Sequence, residues 1–348
     1  MAKLPECSEY LSAIETPQLF KSPVLMGGHV VKRNDTVIRY AGGFCVVFPF
    51  ENLNRKYAIR CWHASVDDAQ KRTKEIADEL RRLQLPYFVG FEYFSDGILT
   101  NEGVQPIVAM DWVDASPLKD YISKYLYSPE KLKTLAANFL KMAKSLHEHG
   151  ISHGDLQHGN IMVKDSGELV LVDYDSMYVP SLDGYSDDIK GLEGYQHPAR
   201  WQNKKLTPKA DYFSELVIYI SILALSKMPS LWNDLGIEDT DTLLFNSDDI
   251  VSRGSSNIFK VLETDSELKH LSQSLKDALL QISIEDLNPL EEIVGSPIDS
   301  ISSKWVNNGY TPPSEPDYKK GAEDMSSKWK QNVRISETPN IDNISKKW

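Results

Sequence analysis

Residues 211–226, DYFSELVIYISILALS, have almost no polar face. A helix that is apolar nearly all round has to be surrounded by other elements, and this stretch falls short of the ~20 apolar residues that cross a bilayer. It therefore demands a helical lobe thick enough to bury it. Residues 129–149 supply one wall, with Leu132, Leu135, Ala136, Phe139, Met142, Ala143 and Leu146 on one face before Gly150 ends the helix. Residues 257–294 read as further helices of the same lobe.

The first third has a different grain. Residues 37–50 and 56–62 carry β-branched and aromatic residues around a Gly-Gly pair and read as strands. Residues 67–83 read as a helix, with Asp67 and Asp68 in its first turn and Ile76, Leu80 and Leu83 at helical spacing. Strands are expected again at 87–94 and 104–113, the second after an Asn-Glu-Gly turn. The spacing thus predicts an α+β chain of two lobes, strand-rich over 37–113 and helical over 114–295.

Past residue 295 the composition changes. From Ser296 to Trp348 there is no Leu, Phe, Cys or His, so residues 296–348 are expected to form a disordered tail. Three short words recur in it: Ile301–Trp305, Met325–Trp329 and Ile344–Trp348, preceded by Asp299, Asp324 and Asp342. Repeated Lys-Trp endings suggest linked anchors for a docking partner. The whole chain of 348 residues carries 38 basic and 50 acidic side chains, a net charge of −12 that argues against a nucleic-acid or membrane surface. Three scattered cysteines (Cys7, Cys45, Cys61) suit neither a disulfide framework nor a zinc site, and the start lacks an apolar leader, so a cytoplasmic protein is expected.

Chemistry concentrates in ISHGDLQHGNIMVKDSGELVLVDYD. Asn160 follows Asp155, and Asp173 comes after two short apolar runs joined by a Ser-Gly turn. Such a hairpin can bring Asn160 and Asp173 together beside Asp155. That is an oxygen donor set for Mg²⁺, which takes few protein ligands and fills its shell with phosphates and water. Asp155 would then be placed to accept or orient a hydroxyl proton.

This segment resembles the catalytic loop and metal-binding Asp of protein kinases, H-x-D-x-x-x-x-N followed by D-F-G, here His153-Gly154-Asp155, Asn160 and Asp173-Tyr174-Asp175. Upstream, YAIRCW resembles the V-A-I-K strand, with Ala58 beneath adenine and Arg60 in the lysine's place. AGGFCVV resembles a Gly-rich loop that keeps Gly42, Gly43, Phe44 and Val47. IVAMDWVDASPL resembles the strand and hinge at the base, with Met110 as gatekeeper and Asp111 and Val113 offering backbone groups. Downstream, GLEGYQHPAR resembles the end of an activation segment, and DYFSELVIYISILAL the central helix whose Asp211 braces the catalytic loop. The wording HGDLQHGN, VDYD and GYQHPAR also resembles a bacterial group of protein-kinase-like proteins.

The resemblance implies a two-lobed protein-kinase-like fold and transfer of a phosphoryl group from ATP, with Mg²⁺, to a protein substrate's Ser or Thr hydroxyl. It implies Asp155, Arg60 and Glu75 as catalytic residues, Glu75 being the helix partner of Arg60 with Glu79 as an alternative. Asn160 and Asp173 would hold the metal, and Met162 would join Ala58, Met110 and Val113 around the base. Several positions depart from the pattern. Arg60 replaces Lys, and Gln157 stands where a catalytic-loop Lys is usual, with His158 either lending charge or simply solvated. Asp175 replaces Gly, and Gly154 replaces the arginine that receives an activation-loop phosphate. Ala199 replaces Glu, so a buried ion pair holding that segment is expected to be missing. These departures leave two other readings: a nucleotide-binding pseudokinase scaffold that recruits partners through the tail, and a small-molecule kinase.

Overall fold

The structure is a computed structural model that describes residues 4–41, 45–64 and 68–295; the tail repeats, and Gly42, Gly43 and Phe44, lie outside the described residues. An N-terminal helix, α1 (Cys7–Ile14), leads through the short strands β1 (His29–Val30), β2 (Lys32–Arg33), β3 (Thr36–Val37) and β4 (Tyr40–Ala41) into β5 (Cys45–Asn52) and β6 (Arg55–Trp62). Helix α2 (Ala69–Leu83) precedes the hairpin β7 (Phe91–Thr100) and β8 (Gly103–Asp111). The main sheet is antiparallel, in the order β1-β5-β6-β8-β7, and β4 also pairs β5.

Period-two alternation decides what this sheet shows to each side. Val46, Phe48 and Phe50 of β5, with Tyr57, Ile59 and Cys61 of β6, join Tyr10, Ile14 and Phe20 in one core. The intervening residues, Val47 on β5 and Ala58, Arg60 and Trp62 on β6, take the opposite face. The register sets Val47 directly across from Arg60. The residues before position 37 thus form a backing for the sheet, with Tyr10 Oη donating to the Trp62 carbonyl at 3.0 Å.

One expected strand shifts. Tyr87 and Phe88 leave the sheet, and the Tyr87 carbonyl accepts from Leu171 N–H at 2.8 Å, so β7 starts at Phe91. The reason is geometric: an unpaired edge of the second lobe offers these residues backbone partners that the sheet does not.

The second lobe opens with β9 (Ser116–Pro117), α3 (Leu118–Lys124) and α4 (Pro129–Glu148). The hairpin β10 (Ile161–Val163) and β11 (Leu169–Leu171) follows, then α5 (Tyr212–Lys227), α6 (Leu231–Asp234), α7 (Ser247–Val251), α8 (Asn257–Leu262), α9 (Ser266–Leu279) and α10 (Leu290–Val294). Every residue of α5 from Phe213 to Ser226 is buried, as its apolar circumference requires, with α4, α9 and α10 packed around it. No described helix is long and apolar enough to cross a membrane. An antiparallel-sheet lobe followed by a helical one is the architecture expected from the sequence.

Candidate active site

The loop between α4 and β10 is fastened from below. Asp211, at the head of α5, accepts from Gly154 N–H at 2.9 Å and from His153 N–H, so one carboxylate fixes two consecutive peptides. His153 is buried, with Nε2 2.9 Å from the Val172 carbonyl. Gly154 has φ +80°, and a Cβ there would lie 2.1 Å from the Ser176 carbonyl oxygen. No arginine fits at this point of the turn, which explains the departure from the kinase wording.

Asp155 and Asn160 are joined directly. Asn160 Nδ2 donates to the Asp155 backbone carbonyl at 2.8 Å and to Oδ2 at 3.0 Å, which turns the amide oxygen outward. Burial raises the Asp155 carboxyl above its ordinary value, while His153, the Leu192 N–H and Asn160 oppose the rise. The β10–β11 register, Ile161 opposite Leu171, carries on into a bond from Val172 N–H to the Asn160 carbonyl at 3.0 Å, which sets Asp173 next to Asn160. The structure thus brings Asp155, Asn160 and Asp173 together.

Asp173 adopts a left-handed φ of +66°, a conformation Asp tolerates better than most side chains. After this turn Tyr174 plunges inward: its hydroxyl donates to Leu171 O at 2.7 Å and accepts from Val89 N–H at 3.1 Å. The Asp173 carboxylate opens to the cleft. Desolvation by the walls around it and the neighbouring Asp175 charge push its pKa up to about 6, against the pull of Arg60 and His153.

Arg60 meets a different partner from the one expected. Its Nη1 and Nη2 donate to Oδ1 and Oδ2 of Asp175, and Nη1 lies 3.9 Å from Asp173. Glu75 stays half-buried on α2 beside Lys71 and Lys74, and Glu79 pairs with Arg82 at 2.7 Å. The Glu75 expectation is therefore corrected: a long guanidinium reaches across the cleft to the residue two places after Asp173. What α2 turns inward is Arg72, buried, whose Nη groups donate to the backbone carbonyls of Asp175 (3.4 Å) and Ser186 (3.3 Å).

On the other side of the cleft, Ala115, Met162 and Val170 form a small buried cluster against Val89, Val113 and Val172. Ala58 pairs with Met110 across β6 and β8. Asp111 N–H is already given to the Gly90 carbonyl at 2.8 Å, which leaves its carbonyl as the backbone group it can offer. Among the expected pocket residues, Met162 and Val113 belong to this cluster, Met110 packs against the main core, and Val47 and Ala58 lie on the face of β5 and β6 that carries Arg60; Gly42 and Gly43 are not described.

The segment after Asp175 closes over Asp155. Leu192 N–H donates to Asp155 Oδ1 at 3.1 Å, and Gly191 approaches so closely that a Cβ would lie 2.6 Å from the same oxygen. The ion pair expected to be missing is replaced. Arg200, fully buried, sends Nε and Nη2 to Asp187 at 3.3 Å each and Nη1 to Gln196 Oε1 at 2.7 Å, while Lys190 reaches Asp187 at 3.0 Å. Ala199 loses nothing because its neighbour carries the charge. His158 binds the Tyr195 hydroxyl at 2.7 Å, and burial together with Lys119 pushes its pKa down to about 4. It is a half-buried strut between loop and segment, and its lowered pKa makes it a poor source of positive charge.

Comparison with known proteins agrees with this geometry. A family profile described as the protein kinase domain matches residues 41–286, more than half of the chain. The chain is similar to a dual specificity mitogen-activated protein kinase kinase of Drosophila melanogaster, 28% identical over 159 residues, which are 44% of this chain and 38% of that protein. A serine/threonine-protein kinase of Arabidopsis thaliana is 29% identical over 114 residues, 32% of this chain and 26% of its own. A probable serine/threonine-protein kinase of Dictyostelium discoideum is 25% identical over 120 residues, 34% of this chain and 18% of its own. The match spans less than half the length of each of these relatives. With its braced catalytic loop, its hairpin and its profile match, the chain belongs to the protein kinase domain family.

Proposed function

We propose that this chain is a protein serine/threonine kinase that uses ATP and Mg²⁺. The observation that carries the reading is the direct bonding of Asn160 to Asp155, with Asp173 set beside them by the Val172–Asn160 bond. Bound ATP with Mg²⁺ supplies the phosphoryl group and the cation that offsets its charge. The donor set fits that ligand: Asn160 Oδ1 and Asp173 are oxygens suited to a hard cation. Among the described residues Arg60 Nε is buried without a hydrogen-bond partner, which suits an anionic oxygen. Val47, Ala58, Met110, Val113 and Met162 form the apolar bed for the base, with the Asp111 carbonyl as an acceptor.

In this reading Asp155 orients the substrate hydroxyl and takes its proton. Gln157 and neutral His158 put no cation beside the transferred group, so turnover is slower than in a kinase with the usual lysine. That same deficit favours the second reading, a nucleotide-binding scaffold. Residues 37–113 and 114–295 act as the two lobes, and residues 296–348 dock a protein partner through their Lys-Trp words. The free cysteines fit a reducing cytoplasm.

The test is purified chain with Mg²⁺, γ-labelled ATP and a generic protein acceptor, beside Asp155→Ala and Asp173→Ala. Labelling that both substitutions reduce at least about 100-fold supports the kinase. ATP-dependent thermal stabilisation, lost in Asp173→Ala and never accompanied by labelling, supports the scaffold.

A further inference from the structure

The departures at positions 60 and 175 are two halves of one device. Arg60 pairs with Asp175 end-on, one terminal nitrogen to each carboxylate oxygen. A guanidinium carries five N–H groups, and this pairing takes one from each terminal nitrogen. Three remain, and among the described residues Nε is buried with no oxygen or nitrogen partner, the thiol of Cys45, a weak acceptor, being the neighbouring group. A buried donor left unmade is expensive unless a ligand oxygen completes it. The helix expected to hold Arg60 does not: Glu79 is committed to Arg82, and Glu75 sits beside Lys71 and Lys74. Asp175 itself is steadied from α2, because Arg72 donates to its backbone carbonyl at 3.4 Å.

We infer that Asp175 is the positioning residue for Arg60, taking the place of a helix carboxylate. It grips the far edge of the guanidinium and so presents the Nε edge to a phosphate oxygen of the nucleotide. The inference rests on the nucleotide-binding reading above. Substituting Asp at 175 for Gly thus compensates for Arg at 60: a long planar fork needs its anchor on the floor of the cleft, whereas a lysine's point charge can be held from the helix. Asp175 touches no reacting atom. Its effect is felt through where Arg60 points.

The full chain, Asp175→Asn, Arg60→Met and the double variant are melted without nucleotide and titrated with ATP and Mg²⁺, with Asp175→Glu as the conservative variant. The nucleotide-free melts test the pairing alone: the double variant is expected to melt no lower than the less stable single one. In the titration, Asp175→Asn is expected to raise the ATP dissociation constant about tenfold, and Asp175→Glu to recover it to within about threefold of the parent. In turnover the loss should fall on KM for ATP more than on kcat.

Additive melting losses would overturn the pairing. Equal or tighter ATP binding by Asp175→Asn would overturn the positioning role and make Asp175 a competitor of the phosphate. Glu75→Gln weakening ATP more than Asp175→Asn does would return the role to the helix. A parent chain that binds no ATP would sink the nucleotide reading and with it the positioning role, while the melting cycle would still report whether the two side chains are coupled.

Discussion

Two arginines, Arg60 in the cleft and Arg200 beneath the activation segment, are both buried and both paired with an aspartate. Arg200 has Nε, Nη1 and Nη2 engaged, by Asp187, Gln196 and the Ala210 carbonyl. Arg60 has Nε in hand, and its partner Asp175 is a third exposed. Burial and pairing are alike in the two; completeness is not. An arginine with every nitrogen engaged fastens two pieces of chain, while one with Nε unspent is prepared for something that arrives later. The C-lobe floor should therefore answer substitution in stability, and the cleft in ligand affinity.

The contrast can be broken most sharply at Arg200. Arg200→Met leaves the buried Asp187 carboxylate to Lys190 alone and Gln196 Oε1 without its donor, and should cost about 3 kcal/mol, read from the denaturant midpoint. ATP-induced stabilisation should persist in whatever fraction stays folded. A loss below about 1 kcal/mol would mean that saturation does not mark the structural pair.

A second floor cluster sharpens it with pH. His147 lies 2.9 Å from Glu215 and 2.8 Å from Glu291, with the Tyr212 ring against its own. Burial works against its proton, but the two glutamates more than reverse this and push its pKa up to about 9. The cluster's stability contribution is thus full below the unfolded value of about 6.5 and is withdrawn as pH climbs through 9. Stability should fall by on the order of 2 kcal/mol across that window, and His147→Gln should flatten the profile. Equal slopes in parent and variant would place the titration elsewhere.

In the cleft, Arg60→Met should cost about 1–2 kcal/mol of intrinsic stability, since Asp175 can turn to solvent. It should nevertheless abolish the shift that ATP at a hundredfold excess over its dissociation constant gives, about 2.7 kcal/mol. The smallest effect is expected at Lys190, the second cation on Asp187: Lys190→Met should cost less than about 1 kcal/mol because Arg200 remains. A larger loss would shift the weight of that cluster onto the lysine.

How much of this was legible beforehand follows from where the partners lie along the chain. The sheet lobe and the central helix were readable because alternation and an all-apolar circumference are local signals, while the brace by Asp211 came from the resemblance of that helix to its protein-kinase counterpart. Asp155, Asn160 and Asp173 were readable because a short hairpin is the only chain between them. The partner of Arg60 was not, since the resemblance pointed to a helix glutamate, Glu75 or Glu79, while Asp175 lies 115 residues away in a turn shaped by Asp173. The Arg200–Asp187 pair was hidden as well: both residues lie in irregular chain, where no period links one charge to another. The backing formed by Tyr10, Ile14 and Phe20 was missed because its residues follow no single repeat.

Arg72 carries one more consequence. Among the described residues, both of its acceptors, at Asp175 and Ser186, are main-chain oxygens, which every amino acid possesses. Positions 175 and 186 can therefore change freely without cutting this tie, and position 72 has no residue with which to vary in step. A link of this kind leaves no paired record in the sequences of descendants. Helix α2 can stay wired to the cleft through a long history of substitution that, read letter by letter, would show only a solitary arginine.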